Sequence, residues 1–221
     1  MDYKQEYKRW LENADKETVA ELNEISGNEK EIEERFYKTL EFGTAGLRGI
    51  IGAGPNRMNS YVVGQATQGL ANQLIKTNPK DAELSVAIAY DSRIKSDEFA
   101  KTSATILAAN GIKVYLFEEL KPVPELSFTV RYKHATAGIV ITASHNPAKY
   151  NGYKVYGADG AQLNPELAAV VLEEIENTDI FSGVKTCDFD KAVTDGMIVM
   201  IGDDVEEAYL DCVQAQCINP E

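Results

Sequence analysis

Residues 84–117 read LSVAIAYDSRIKSDEFAKTSATILAANGIKVYLF, and the period of the apolar residues changes twice along them. Leu84 to Tyr90 is almost wholly apolar and runs into the polar Asp91-Ser92-Arg93, the pattern of a buried strand that ends in a loop. Ser96 then caps a helix on which Phe99, Ile106 and Leu107 recur at helical spacing, and Asn110-Gly111 supplies a C-terminal stop. Val114 to Phe117 is a second strand. Strand, helix, strand is the unit of a layered α/β domain, whose functional residues gather in loops beyond the strand ends.

The alternation extends in both directions. Toward the C-terminus come a loop at Leu120 to Pro124, a short helix at Glu125 to Tyr132 and an apolar strand at Ala137 to Thr142. A further strand follows at Gly152 to Tyr156, antiparallel because only a short turn precedes it. Asn164-Pro165 caps a helix with Leu167, Val170, Val171 and Ile175 as its stripe. Toward the N-terminus, Ser60 caps a helix to about Lys76, and Asn78-Pro79 ends it. Before it, the glycine-dense Phe42 to Ile50 reads as a loop around a short strand. The first forty residues are charged helices broken at Ser26-Gly27-Asn28. After Thr178 the texture shifts to a loop, a strand at Ile198 to Ile201 and a helix from Asp204 to about Val213. The expected organisation is α/β: a three-layer domain with a mixed sheet between helices over residues 41–185. A helical extension at 1–40 packs on it, and 186–221 is a linker with the start of a second domain.

Composition narrows the partners. Lys and Arg number 22 against 35 Asp and Glu, a formal charge of −13, and no basic stripe tracks a nucleic-acid backbone or an anionic membrane. A small anionic substrate is compatible, provided that a local cluster of cations receives it. Cysteines 187, 212 and 217 fit no metal spacing and read as thiols in a reducing compartment. No signal-like start and no long apolar run is present, so the expectation is a cytoplasmic protein.

The most informative hexapeptide is Thr142-Ala143-Ser144-His145-Asn146-Pro147. It follows a buried strand, and Asn-Pro forces an immediate turn, so Ser144 and His145 sit on a short rigid loop, a placement that suits a nucleophile. The same side chains equally suit a turn that bonds only its own backbone. Serine hydrolysis is disfavoured, because there is no G-x-S-x-G elbow and adjacent Ser and His usually point apart. Arg48, Arg93 and Lys154 each emerge where a strand meets a loop, and together they can neutralise a phosphoryl group. Taken singly, each is equally well a surface cation paired with a carboxylate. The glycine segment matches neither nucleotide-binding signature, and Asp203-Asp204 with Glu206-Glu207 reads as an acidic helix start rather than a magnesium site.

With these residues in hand, the chain resembles the alpha-D-phosphohexomutases, the phosphoglucomutase and phosphomannomutase family. Thr142 to Pro147 looks like the family's phosphoserine signature, with Asn151-Gly152-Tyr153-Lys154 at the expected distance. Phe42 to Gly49 looks like its N-terminal active-site segment, and Asp91-Ser92-Arg93 like its second-strand motif. The resemblance implies phosphohexomutase domain 1, with interconversion of hexose 1-phosphate and hexose 6-phosphate through phosphorylated Ser144 and a bisphosphorylated sugar. It implies catalytic roles for Ser144, Arg48, Lys154 and His145, and phosphate or substrate contacts from Arg48, Thr142, Asn146, Asn151, Arg93 and Lys154. It also implies Mg2+ on the phosphoserine at Ser144 and glucose 1,6-bisphosphate as activator. The family's Asp-Gly-Asp-x-Asp-Arg metal loop and its sugar-reading segments belong to domains 2–4 and do not occur here. An excised, inactive domain is therefore the leading expectation. A stand-alone phosphosugar-binding module is the alternative, and a carboxylate-rich interaction domain a third.

Overall fold

The computed structural model describes residues 2–43 and 46–218. Thr44 and Ala45 of the glycine segment, and the terminal Asn219-Pro220-Glu221, lie outside the described residues. Helices α1 (Tyr3–Asn13), α2 (Lys16–Glu24) and α3 (Glu29–Phe36) come first, each started by a side chain, Asp2, Asp15 or Asn28, that accepts bonds from the first-turn N–H groups. The rest alternates: β1 (Leu47–Ile50), α4 (Ser60–Thr77), β2 (Ser85–Tyr90), α5 (Ser96–Ala109), β3 (Lys113–Phe117), α6 (Val123–Tyr132), β4 (Ala137–Ile141), β5 (Tyr150–Gly157) and α7 (Pro165–Glu176). Then come α8 (Phe189–Thr194), β6 (Ile198–Ile201) and α9 (Asp203–Gln214).

The strands form one mixed sheet in the order β1-β5-β4-β2-β3-β6, with β5 antiparallel to both of its neighbours and the others parallel. Alternation along each strand divides the core. Val86 and Ile88 of β2 face a large cluster with α4, α5 and α7, whereas Ala87 and Ala89 face a smaller one with α6 and α9. The sheet thus lies between two helical layers. No helix among the described residues is long and apolar enough to cross a membrane.

Three local readings are corrected. The cap of α4 is Asn59 rather than Ser60: its Oδ1 accepts the Val62 N–H at 2.9 Å while its Nδ2 donates to Gly52 and Gly54 carbonyls. Ser96 does not cap α5; Lys95 occupies the cap in a left-handed conformation, and the Ser96 side chain turns inward and is buried. Pro122 is the cap of α6 and Pro124 lies in its first turn, so that helix starts at Val123, inside the expected loop. The segment after Lys185 holds the unanticipated α8 and adds β6 to the sheet beside β3. Val205 of α9 is buried, Tyr209 lies tilted against Phe128 with ring centroids 5.6 Å apart, and Lys133 and Lys121 reach Asp204 and Glu206. The N-terminal helices are held by Trp10, fully buried and ringed by Phe36, Tyr61 and Phe181.

Candidate active site

The loop between β4 and β5 carries the signature hexapeptide, and both of its ends are fixed. Thr142 is buried, and its Oγ1 accepts the Ser144 N–H at 3.0 Å. The Asn146 N–H closes a turn onto Ala143 O at 3.1 Å, and the Tyr150 N–H bonds Pro147 O at 2.9 Å. At the crest Ser144 takes φ of +58°, a left-handed conformation that non-glycine residues adopt only when surroundings impose it. The result is an exposed Ser144 side chain on a turn that is bonded from below. Its Oγ lies 3.3 Å from His145 Nδ1, so the two neighbours do not point apart as adjacent residues usually would.

Arg48 of β1 reaches this turn, and Lys154 of β5 lies beside it. Arg48 of β1 sits opposite Gly152 of β5, and Lys154 lies two residues further along β5, so the period of two sends both side chains to one face of the sheet. Leu47 and Tyr153, paired with each other, face the opposite way into the core. The strands approach closely because position 152 is glycine: a Cβ there would stand 2.6 Å from Thr142 O and 2.8 Å from Leu47 O. Arg48 is exposed, and its Nη1 donates to Asn146 Oδ1 at 3.1 Å across the gap to the serine loop. Lys154 is half-buried; burial, and then the nearby positive charge of Arg48, push its pKa down from the ordinary lysine value. Ser144, His145, Asn146 and Arg48 thus gather around an exposed hydroxyl, and Lys154 lies on the same face of the sheet within the field of Arg48.

Two residues expected at a phosphate are engaged elsewhere. Arg93 directs its donors into the protein: Nη2 to Ser144 O and Asn146 O at 2.7 Å each, and Nη1 to Pro147 O at 3.2 Å and Tyr150 O at 3.1 Å. Its Nε faces Asp91 Oδ2 at 3.3 Å, which leaves the fork without a donor for a ligand. Asn151 is fully buried, donating to Ile94 O and Ser96 Oγ at 3.0 Å and accepting the Gly152 N–H at 2.7 Å. Arg93 thus holds the serine loop, and Asn151 ties β5 to the start of α5. Asp91, which had no role of its own in the sequence reading, anchors this lattice by accepting from Ser96 Oγ at 2.7 Å and from the Arg93 N–H at 3.0 Å. Its signal in sequence was a carboxylate at a strand end two residues before an arginine, the spacing of a side-chain turn.

A magnesium ion takes about six oxygen ligands, carboxylates prominent among them. Among the described residues no three His, Cys, Asp or Glu side chains gather to hold a metal, and the neighbours of Ser144 named above are cationic, imidazole or amide groups. This chain's own donors do not fit that ion.

Comparison with known proteins follows the same lines. Residues 39–180 match the family model described as phosphoglucomutase/phosphomannomutase, alpha/beta/alpha domain I. A phosphoglucomutase of Staphylococcus saprophyticus is 40% identical over 200 residues, covering 90% of this chain and 36% of the relative. One from Staphylococcus haemolyticus is 45% identical over 168 residues, covering 76% of this chain and 30% of the relative. The chain thus spans about a third of the length of these curated relatives. Among solved structures, a putative phosphomannomutase from Thermus thermophilus superposes with a TM-score of 0.66 at 26% identity, over 80% of this chain and 36% of that one. A phosphoglucomutase/phosphomannomutase family protein from Burkholderia thailandensis shares the fold at a TM-score of 0.58 and 21% identity, over 79% of this chain and 35% of that one.

Proposed function

This chain belongs to the phosphoglucomutase/phosphomannomutase family and carries its domain I, and on that premise we propose that Ser144 is its phosphoryl carrier. The observation that carries the reading is the exposed Ser144 hydroxyl, held on a bonded turn with Arg48 and Lys154 on the same side of the sheet. In the forward half-reaction the hydroxyl oxygen of a hexose phosphate attacks the phosphorus on Ser144. The bond between Oγ and phosphorus breaks with its electron pair passing to Oγ, the sugar hydroxyl gives up its proton, and Oγ takes up one in return to become the free serine hydroxyl. Lys154, whose pKa is lowered by burial and by Arg48, is suited to take that proton when neutral. Arg48 contacts the moving phosphoryl group, and Asn146 holds Arg48. Thr142 fixes the serine backbone, and His145 polarises the hydroxyl. Return of the second phosphoryl group from the bisphosphorylated sugar to Ser144 completes an interconversion of hexose 1-phosphate and hexose 6-phosphate.

Among the described residues no carboxylates gather to hold magnesium. For that reason we assign the 221-residue chain binding of phosphosugars, glucose 1,6-bisphosphate among them, with negligible turnover by itself. Its missing partners are domains 2–4 of a longer mutase. We divide it into an extension at 1–40, domain I at 41–185 and, at 186–221, the linker toward a second domain, whose β6 joins the sheet of domain I, and we place the protein in the cytoplasm.

Titration with glucose 1,6-bisphosphate, followed by backbone amide NMR, tests the site. Shifts should cluster at Arg48, Ser144, His145 and Lys154, and Arg48→Ala should weaken binding by about tenfold or more, the worth of one charge-assisted bond of ~1.5–3 kcal/mol. Shifts that avoid Ser144 at millimolar ligand would sink the assignment.

A further inference from the structure

Arg93 has no remaining donor for a ligand, yet it touches more of the serine loop than any other side chain described above. Four carbonyl oxygens, from Ser144, Asn146, Pro147 and Tyr150, turn toward one guanidinium. A loop whose carbonyls are drawn inward must send other backbone groups outward, and a residue at φ of +58° needs a compensating set of bonds to stay there. The guanidinium is planar and forked, so it imposes directions as well as charge. It is itself held, because the Asp91 carboxylate faces its Nε while accepting from Ser96 Oγ, which in turn accepts from the buried Asn151. Its side chain is only 14% exposed, and its bonds to the Tyr150 and Asn146 carbonyls are part-buried while those to Pro147 and Ser144 lie at the surface.

We propose that Arg93 is the positioning residue that shapes the serine loop, acting as a template whose four Nη N–H groups set the backbone of residues 144–150 and so the direction of the Ser144 hydroxyl, while its Nε is held by Asp91. This rests on the reading of Ser144 as phosphoryl carrier for its importance, though not for its geometry. A lysine at this position keeps the charge but presents a point donor without the fork. If Arg93 instead served as a phosphate contact, lysine would replace it in part and the loop would be indifferent.

The test uses the whole 221-residue chain in hydrogen exchange. In Arg93→Lys, amides of residues 144–150 should exchange about tenfold faster than in the wild type, while those of β4 and α5 stay unchanged. Loop exchange within about twofold of wild type overturns the proposal. Should that variant not fold, the unmodified protein still decides: at low temperature its Arg93 guanidinium should give separate, slowly exchanging Nη proton resonances, unlike those of exposed Arg48. Averaged Arg93 signals that exchange as fast as those of Arg48 overturn the idea equally. Neither readout needs a ligand, so a failure of Ser144 to meet glucose 1,6-bisphosphate defeats the carrier reading alone and leaves the template to be judged by its own data.

Discussion

Lys154 is held below the ordinary lysine pKa by two neighbours of different kind, the apolar surroundings first and the Arg48 guanidinium second. Removing the second must leave the first. In Arg48→Ala the Lys154 pKa should therefore rise but stay short of its ordinary 10.5, as read by carbon NMR of the Lys154 side chain during a pH titration. An unmoved midpoint would mean that the two cations do not share a field, and the constellation would lose its electrostatic basis. At this scale the sequence was legible for identity and blind for direction. Ser144, Arg48 and Lys154 could be picked out because a strand end followed by a forced turn offers few other placements. Arg93 and Asn151 looked equivalent to them. Whether an arginine gives its donors to carbonyls of its own chain or to a ligand depends on a loop 51 to 57 residues away, which no local pattern encodes.

Helices α4 and α7 pack against each other at Gly69, where a Cβ would meet the Ile175 side chain at 2.5 Å and its backbone N at 2.8 Å. A methyl group there has to push the two elements apart, because one obstacle is main chain. Gly69→Ala should cost ~1–3 kcal/mol despite alanine's better helix propensity, visible as a lower urea midpoint with an unchanged slope. A gain in stability would show that propensity outweighs the contact. The apolar stripes of α4, α5 and α7 were readable because their periodicity is strong. The starts of α4 and α5 were not, since Asn59 and Ser60, or Lys95 and Ser96, are adjacent and only the backbone angles decide which one caps. The six-residue α8 offers less than two turns of pattern, and the place of β6 beside β3 is set by pairing rather than by sequence texture.

The chain contains a single tryptophan, and Trp10 sits at the junction of α1, α3, α4 and the loop at Phe181. Its fluorescence therefore reports whether the N-terminal helices and the sheet come apart together. Unfolding followed by Trp10 emission and by far-ultraviolet circular dichroism should superimpose, and Trp10→Ala should cost ~3–5 kcal/mol. An emission change that precedes the loss of secondary structure would mark the helices as a separate unit. The layered arrangement of the whole could be inferred from alternation, and the antiparallel run of β5 from the shortness of its connection. The order of strands across the sheet carries a further consequence for biosynthesis. Arg48 and Asn146 are joined across 98 residues, and among the described strands of the sheet β1 pairs with β5 alone. During translation the arginine leaves the ribosome long before the strand that will receive it exists. The hydroxyl and its first cation meet only when the chain is most of the way through this domain, so the edge that bears the chemistry can close only after β2, β3 and β4 have emerged, with β6 alone still to follow.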